Sequence, residues 1–420
     1  MSKLLPALQK FYNALRHLEQ FSLESSFFDN IGALDVFLSE FRSVTFVLQK
    51  SLGGNQDPVY QKNLSEYLLR DVRVAEWLNE QRTNVVHKYP FNLKKILRVF
   101  IYAWGNAFEF KRFDQTIEDE KPIGDYEQMI RNTILSIATP EICFSAQYLF
   151  VDDKDDKEIN IFDLIEPGVT SMWMFLHAMK LDLHEDGDVV NQLMKRIDEI
   201  YLRKPQRWMS DAVDYCYYRT TDSFERGQSG AMIIPDARIS VSRFIDYVKA
   251  LHAPVEGFFD AFIWIHSWIY IRQNHEIMNT FFIEYSDGTY HTIPFVATLR
   301  TTMYRFINKM AQLISDNEIT NVFLVTEMVG YDTNAQKNMG KFLQLNYRER
   351  EYFRTKDFLA FFKVSCLGEE TSLMIDSDDL IDRLSISAAM GKAKEKEIEA
   401  APSVMLAPIV KSFKDKLARI

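Results

Sequence analysis

The sequence is poor in cysteine and has no long hydrophobic run. Only Cys143, Cys216 and Cys366 occur among the 420 residues, and thiols so far apart indicate neither a disulfide framework nor a thiolate metal site. The longest apolar run, Ala261 to Ile271, is too short to cross a bilayer. The first residues lack the apolar core of a signal peptide, so we expect a cytoplasmic location and no membrane partner.

The sequence also lacks the usual motifs for nucleotide binding and for metal binding. Neither GxxxxGKS/T nor GxGxxG occurs, so nucleotide hydrolysis is not expected. The acidic stretch from Asp152 to Asp163 resembles a calcium loop. Counted from Asp153, however, Lys157 occupies the fifth position and no glycine occupies the sixth. His266 and His275 have no carboxylate or thiolate companion at metal-binding spacing. The sequence therefore predicts no metal and no cofactor.

Acidic residues outnumber basic residues in the whole chain but not near the N-terminus. The formal net charge of −10 argues against a protein that coats nucleic acid with its whole surface. Residues 1–112 hold 15 Lys and Arg against 11 Asp and Glu, a local balance of +4. A polyanion such as RNA is therefore expected to meet the N-terminal part of the chain.

Apolar residues are abundant, and their spacing predicts the architecture. A hydrophobic content of 47% excludes a disordered chain, and the length predicts two or three domains in a mainly helical α+β protein. Residues 1–110 are predicted to form a four-helix bundle, because apolar residues recur there at spacings of three and four. The predicted segments are Leu4–Leu18, Ser25–Gly54, Asp57–His87 with a break near Arg70 and Asp71, and Leu93–Phe110.

Three further regions are predicted after a polar linker. Residues 125–275 form a mainly helical region without a recognisable function. Residues 276–384 form an α+β region with two antiparallel hairpins, one at Asp287 and Gly288 and one near Gly368. In residues 385–420 a flexible stretch precedes an amphipathic helix from Ile409 to Ile420, whose apolar face docks on the protein's own core, a partner or a membrane surface.

One short stretch offers chemistry: LNEQRTNVVHKYPF, residues 78–91, in which Arg82, Asn84 and His87 stand close together. Histidine can remove a proton near neutral pH and return it, while arginine stays charged and matches phosphate oxygens. The pair suits metal-free cleavage of RNA by its own 2′-hydroxyl, with Asn84 as an orienting group. On an ideal helix Arg82 and His87 lie about 140° apart, so the helix must end or deform between them, or a second copy must complete the site.

This arrangement resembles the HEPN family. Its pattern is a four-helix bundle with Arg-x(4–6)-His near the end of the third long helix, and RTNVVH, residues 82–87, has four intervening residues. The resemblance covers about residues 1–110 and departs from many active members at Thr83, where they carry Asn or Asp. It implies a homodimer through the bundle, with Arg82 and His87 of both subunits lining a cleft. Many members are metal-independent ribonucleases of toxin or antiphage systems, and others are binding or scaffold modules.

The same residues also have a purely structural explanation. Arg82 can pair with Glu76 or Glu80, and His87 can cap carbonyls at a helix C-terminus, where the dipole favours a cation. Two functional hypotheses follow: a HEPN-type endoribonuclease, or a non-catalytic dimeric protein that binds another protein. Four nearby cations form either a phosphate-binding rim for RNA or an ordinary solvated face. They are Lys88, Lys94, Lys95 and Arg98.

Overall fold

The predicted α+β class is confirmed. The computed structural model describes residues 2–21, 25–54, 56–87, 93–103, 105, 107–117, 123–137, 139, 141–152, 160–208, 212–227, 238–316, 318–332, 342, 345, 347–395 and 404–418. For residues 82, 84–87, 123–127, 202–208, 315–316, 347 and 404 it describes the backbone alone. The described residues form thirteen α-helices and eleven strands.

The helices are α1 (Leu5–Leu18), α2 (Phe27–Ser51), α3 (Pro58–Asn63), α4 (Val72–His87), α5 (Ile123–Leu135), α6 (Phe162–Asp182), α7 (Asp188–Trp208), α8 (Val241–Ala250), α9 (Phe258–Arg272), α10 (Arg300–Asp316), α11 (Tyr347–Arg350), α12 (Ser385–Glu395) and α13 (Ala407–Leu417). A π-helix, Leu64–Leu68, directly follows α3. The strands are β1 (Leu93–Tyr102), β2 (Glu109–Thr116), β3 (Glu141–Asp152), β4 (Ala212–Tyr218), β5 (Ser223–Arg226), β6 (Ile239–Ser240), β7 (Asn279–Tyr285), β8 (Thr289–Phe295), β9 (Ile319–Tyr331), β10 (Arg354–Ser365) and β11 (Glu370–Asp376).

The chain forms two compact units, and each collects segments that are distant in sequence. Unit 1 contains Met1–Arg98, Asp114–Gln128 and Gln147–Ala212, whereas unit 2 contains Val99–Phe113, Met129–Ala146 and Val213–Ile420. This division differs from the four consecutive regions predicted from the sequence. The reason is that tertiary packing defines a compact unit, and local periodicity carries no information about which distant segments pack together.

Unit 1 has a helical core whose first helices begin where their capping residues predict. The Ser26 hydroxyl accepts a hydrogen bond from the Asp29 amide at the start of α2, and the Asp57 carboxylate accepts one from the Tyr60 amide at the start of α3. Gly53, with a φ of +87°, follows the end of α2. Helix α1 packs on α2 and α7, and α4 packs on α2 and α6.

The fourth helix predicted for the N-terminal bundle is wrong. The segment that begins at Leu93 forms β1, and Glu109–Thr116 forms β2. A short apolar run rich in β-branched and aromatic residues does not distinguish a buried strand from a helix by its period, and here β1 pairs with β2 and β3 in a sheet of order β2-β1-β3-β4-β5. The helices that complete the apolar core of unit 1 are instead α6 and α7.

Unit 2 is built on a six-stranded sheet of order β11-β10-β9-β7-β8-β6. Alternate residues of its strands point to opposite faces, so Phe281 packs with α10 and α13 while Phe282 packs with α8, α9 and α12. Both predicted hairpins are confirmed: β7 pairs with β8 and β10 pairs with β11. Gly288 and Gly368 adopt φ values of +75° and +71° in the two turns, which a residue with a side chain rarely adopts.

Part of the C-terminal stretch that was predicted to be flexible is helical. Residues 385–395 form α12 rather than a flexible stretch, because Ile386, Ala389 and Met390 are buried on one helical face. The predicted amphipathic helix is confirmed as α13, and it docks on α10 with Ile409 and Phe413 buried. Within the described residues, no helix is both long enough and apolar enough to cross a membrane.

Candidate functional site

The predicted motif lies in the last two turns of α4. The Asp71 carboxylate caps this helix by accepting a hydrogen bond of 3.1 Å from the Val74 amide, which confirms the predicted break before it. The helix then runs without interruption to His87, where the sequence predicts its end. The backbones of Arg82, Asn84 and His87 belong to α4, whereas their side chains lie outside what the structure describes.

The helix geometry determines how the motif residues are placed around α4. The neighbouring Gln81 is buried and donates a hydrogen bond of 3.4 Å to Asp152, so this side of α4 faces the interior of unit 1. Relative to Gln81, Arg82 stands about 100° to one side and His87 about 120° to the other. Because the helix neither ends nor deforms between them, a convergent site would need a second copy of the chain.

The four cations expected to form a rim do not share one surface. Lys88 lies outside the described residues, and the other three are on β1, where alternation places Lys94 and Arg98 on one face and Lys95 on the other. Lys95 is only 5% exposed, and its ammonium donates to the Ser25 carbonyl at 2.8 Å. Arg98 binds the carboxylate of Asp114 through two nitrogens. Lys95 therefore does not belong to a solvent-facing rim.

A second group of chemically active side chains, which sequence reasoning missed, lies inside unit 2. Glu141, Cys143 and Cys216 are buried, and each contributes a potential ligand atom within 4.8 Å of the other two. The Cys216 sulfur is 3.4 Å from Glu141 Oε1. We call these three residues the Glu-Cys-Cys cluster. The remaining cysteine, Cys366, is exposed in the turn between β10 and β11.

Strand alternation explains how the Glu-Cys-Cys cluster forms. Glu141, Cys143 and Ser145 share one face of β3, and Asp214 and Cys216 share one face of the neighbouring strand β4. On that face Ser145 donates a hydrogen bond of 2.6 Å to the fully buried carboxylate of Asp214. The face thus carries two carboxylates, two thiols and a hydroxyl in adjacent rows.

Helix α10 supplies the positive charges for this face. Arg300 donates a hydrogen bond to Glu141 Oε2 at 3.4 Å. Arg305 donates two hydrogen bonds to Asp214, from two nitrogens that each lie 2.9 Å from a different carboxylate oxygen. Thr301 donates to a β4 main-chain carbonyl at 2.6 Å. These three residues come from adjacent turns of one helix, so α10 fixes both carboxylates at once.

The surroundings of the cluster raise the pKa of the Cys216 thiol and the pKa of Arg300. The hydrogen bond with Cys143, burial and the nearby Glu141 charge all raise the pKa of the Cys216 thiol. Burial lowers the pKa of Arg300, but the nearby Glu141, Tyr304, Cys143 and Cys216 together raise it more, so the pKa of Arg300 lies above its ordinary value. The buried Glu141 and the partly exposed Arg300 therefore form an ion pair beside the Cys216 thiol.

A cavity of about 790 Å³ in unit 2 adjoins the cluster through Arg300. The Arg300 side chain lines this cavity and remains 31% exposed. Four methionines give the cavity an adaptable apolar wall. They are Met278, Met303, Met328 and Met405.

Local sequence signals for the cluster existed but were weak. Glu141-x-Cys143 and Asp214-x-Cys216 each place a carboxylate two residues before a thiol within an apolar, strand-like run. Strand period predicts that the two members of each pair share a face, but only the fold shows that the pairs are neighbours. Comparison of the chain with protein-family models, with curated proteins and with solved structures gave no match.

Proposed function

We propose that the protein is a HEPN-type, metal-independent endoribonuclease whose site lies at the C-terminal end of α4. The observation that carries the proposal is the position of Arg82 and His87, in the last turns of an uninterrupted helix and on either side of its buried face. Because the Arg-x(4)-His motif resembles the HEPN pattern, we assign ribonuclease chemistry to these two residues.

The proposed reaction is an internal transesterification. His87 removes the proton from a ribose 2′-hydroxyl, and the resulting oxygen attacks the adjacent phosphorus. The bond from phosphorus to the 5′-oxygen breaks, and that oxygen takes up a proton, which leaves a 2′,3′-cyclic phosphate and a 5′-hydroxyl. Arg82 stabilises the extra negative charge on the phosphorane, and Asn84 orients the phosphate or the imidazole.

The proposed site is shared between two chains. The backbone positions of Arg82 and His87 are about 140° apart around the axis of one α4 helix, so the proposal does not place both residues of a single copy at one phosphate. A twofold axis near the helix ends would place Arg82 of one chain opposite His87 of its partner. The proposed assembly is therefore a homodimer through the N-terminal helices.

The test is cleavage of a labelled single-stranded RNA by the full chain in the presence of EDTA. His87→Ala and Arg82→Lys are each expected to lower the cleavage rate by about 100-fold or more, because positioned acid–base groups contribute about 10² to 10⁴ in rate. Arg73→Lys, an exposed position on the same helix, and His184→Asn, an exposed histidine with a φ of +54°, serve as matched controls and are expected to cleave normally.

Several results would overturn the proposal. Absence of RNA cleavage by the wild-type protein, normal cleavage by both motif variants, or products with a 5′-phosphate would each contradict it. A stable dimer without cleavage would instead support the non-catalytic binding protein. Expression in growing cells adds an independent readout, because an active ribonuclease slows growth and the His87→Ala variant is expected not to.

A further inference from the structure

We propose that Glu141, Cys143 and Cys216 bind one zinc ion. A tetrahedral zinc with bonds of about 2.3 Å to sulfur and about 2.0 Å to oxygen separates neighbouring sulfur and oxygen ligands by about 3.5 Å. The Cys216 sulfur and Glu141 Oε1 are 3.4 Å apart, and all three ligand atoms lie within 4.8 Å of one another. This zinc site is independent of the proposed ribonuclease and reverses the expectation of no metal.

The donor set selects the type of ion. Two thiolates and one carboxylate suit zinc, which accepts sulfur and oxygen ligands together. Magnesium and calcium prefer sites made entirely of oxygen and are disfavoured by two sulfurs. The three side chains also come from two adjacent strands within the core of unit 2, so their positions are fixed before an ion arrives.

Charge balance is satisfied with and without the ion. In the empty cluster, the negative charge of Glu141 faces the positive charge of Arg300. On binding, two thiol protons leave to solvent, since the thiolate is the ligand. The zinc charge of +2 then meets −3 from its three ligands, and Arg300 cancels the remaining −1. Neither state leaves an uncompensated buried charge, which would be costly.

Arg300 acts as a positioning residue for the proposed ion. It holds Glu141 Oε2, which leaves Oε1 directed at the Cys216 sulfur. Among the described residues the metal-binding group has three members, so the fourth tetrahedral position is open to water or another small ligand. The Arg300 side chain, which contacts Glu141 and lines the cavity, is partly exposed to solvent.

The direct test measures metal in the full chain. Wild-type protein dialysed against zinc and then against metal-free buffer is expected to retain about one zinc per chain by elemental analysis. Replacing zinc with cobalt is expected to give thiolate-to-cobalt charge-transfer absorption and the strong visible bands of a tetrahedral site. Cys143→Ser is expected to halve the charge-transfer intensity, and Arg300→Gln to weaken metal affinity about 10- to 100-fold, as loss of an orienting partner does.

The exposed Cys366 gives a matched control. Cys366→Ser removes a thiol without touching the cluster, so zinc content and the cobalt spectrum are expected to stay at wild-type values. Two results would overturn the proposal: folded wild-type protein that retains neither zinc nor cobalt, or a cobalt spectrum that survives in the Cys143→Ser/Cys216→Ser double variant. The wild-type measurement decides the question even where the double variant does not fold. A Cys143–Cys216 disulfide in protein purified under reducing conditions would also contradict it.

Discussion

At the scale of single residues, His266 in α9 illustrates how burial controls a titratable group. Its side chain is 5% exposed, and its Nδ1 lies 2.8 Å from the Phe262 carbonyl, to which it donates. Burial lowers the pKa of His266 from 6.5 to about 4, although the hydrogen bond to Phe262 opposes this shift. The imidazole is therefore neutral in the folded protein at physiological pH.

This depressed pKa predicts acid sensitivity. Between about pH 4 and pH 6.5 the unfolded chain binds a proton at His266 that the folded chain does not. The stabilising contribution is complete above pH 6.5 and is lost as the pH falls toward 4, by roughly 3 kcal/mol in all. In denaturant unfolding at pH 7 and pH 5, His266→Gln is expected to lose less stability on acidification than wild type.

An exposed histidine provides the control for this measurement. His252 is exposed with a φ of +63°, so His252→Asn is expected to keep the wild-type pH dependence. Equal loss of stability in wild type and His266→Gln between pH 7 and pH 5 would contradict this prediction, because it would mean that the pKa of His266 is the same in the folded and the unfolded chain.

Individual residues also show the limit of sequence-based inference. The helix caps at Ser26 and Asp57 are predictable from sequence, because each side chain accepts a hydrogen bond from an amide only three residues further along the chain. The Glu-Cys-Cys cluster was not, because Cys143 and Cys216 become neighbours only when β3 and β4 pair. For the same reason, Lys95 looked like part of a basic run, whereas its strand turns it toward the interior.

At the scale of elements, α4 and α6 approach each other closely at a glycine. A Cβ atom added to Gly168 would lie 2.4 Å from Leu78 Cδ1 and 3.3 Å from Val74 Cγ1. Glycine in the middle of a helix is intrinsically unfavourable, so its presence here is explained by the contact. The close approach sets the position of α4 one turn before the motif.

Alanine at Gly168 and alanine at Gly32 are expected to change the free energy of unfolding in opposite directions, because of the two only Gly168 lies at a close contact. Gly168→Ala is expected to destabilise the protein by about 1–3 kcal/mol, because the methyl group overpacks the α4–α6 contact. Gly32→Ala, in α2 with no atom within 4 Å of the added Cβ, is expected to stabilise it by about 0.5–1 kcal/mol through helix propensity. Chemical denaturation measures both. Leu78→Ala should relieve part of the Gly168→Ala effect, and purely additive free energies would contradict the proposed clash.

The elements themselves were predictable where a segment had one dominant period. The hairpin strands β7 and β8 were predicted correctly, because their pattern is interrupted by a glycine turn. The strand β1 was not, since ten consecutive residues with few polar positions fit a buried strand and a helix equally well. Pairing with a distant strand decided its conformation.

At the scale of the whole molecule, the proposed ribonuclease requires two copies of the chain. The formal net charge is −10, while residues 1–112 carry +4, so the proposed dimer and its RNA would meet at the less acidic part of each chain. The division into units of three segments each was beyond sequence reasoning, because the pairing of segments is a property of the assembled fold.

Mixing two inactive variants tests the shared site. Unfolding and refolding Arg82→Lys together with His87→Ala produces heterodimers in which one of the two shared sites keeps both wild-type residues. Random pairing makes half of the dimers heterodimers, so we expect cleavage at about a quarter of the wild-type rate. Light scattering is expected to give twice the chain mass. A mixture no more active than its components would show that each site is built from a single chain.

Cys366 is the one exposed cysteine of the chain, so its thiol is a unique site for chemical labelling. Thiol-selective reagents attack accessible thiolates, and the two other sulfurs are shielded by the core. A fluorophore or spin label attached there would mark one point per molecule without any engineered residue, and the separation of two such labels would report on how copies associate in solution.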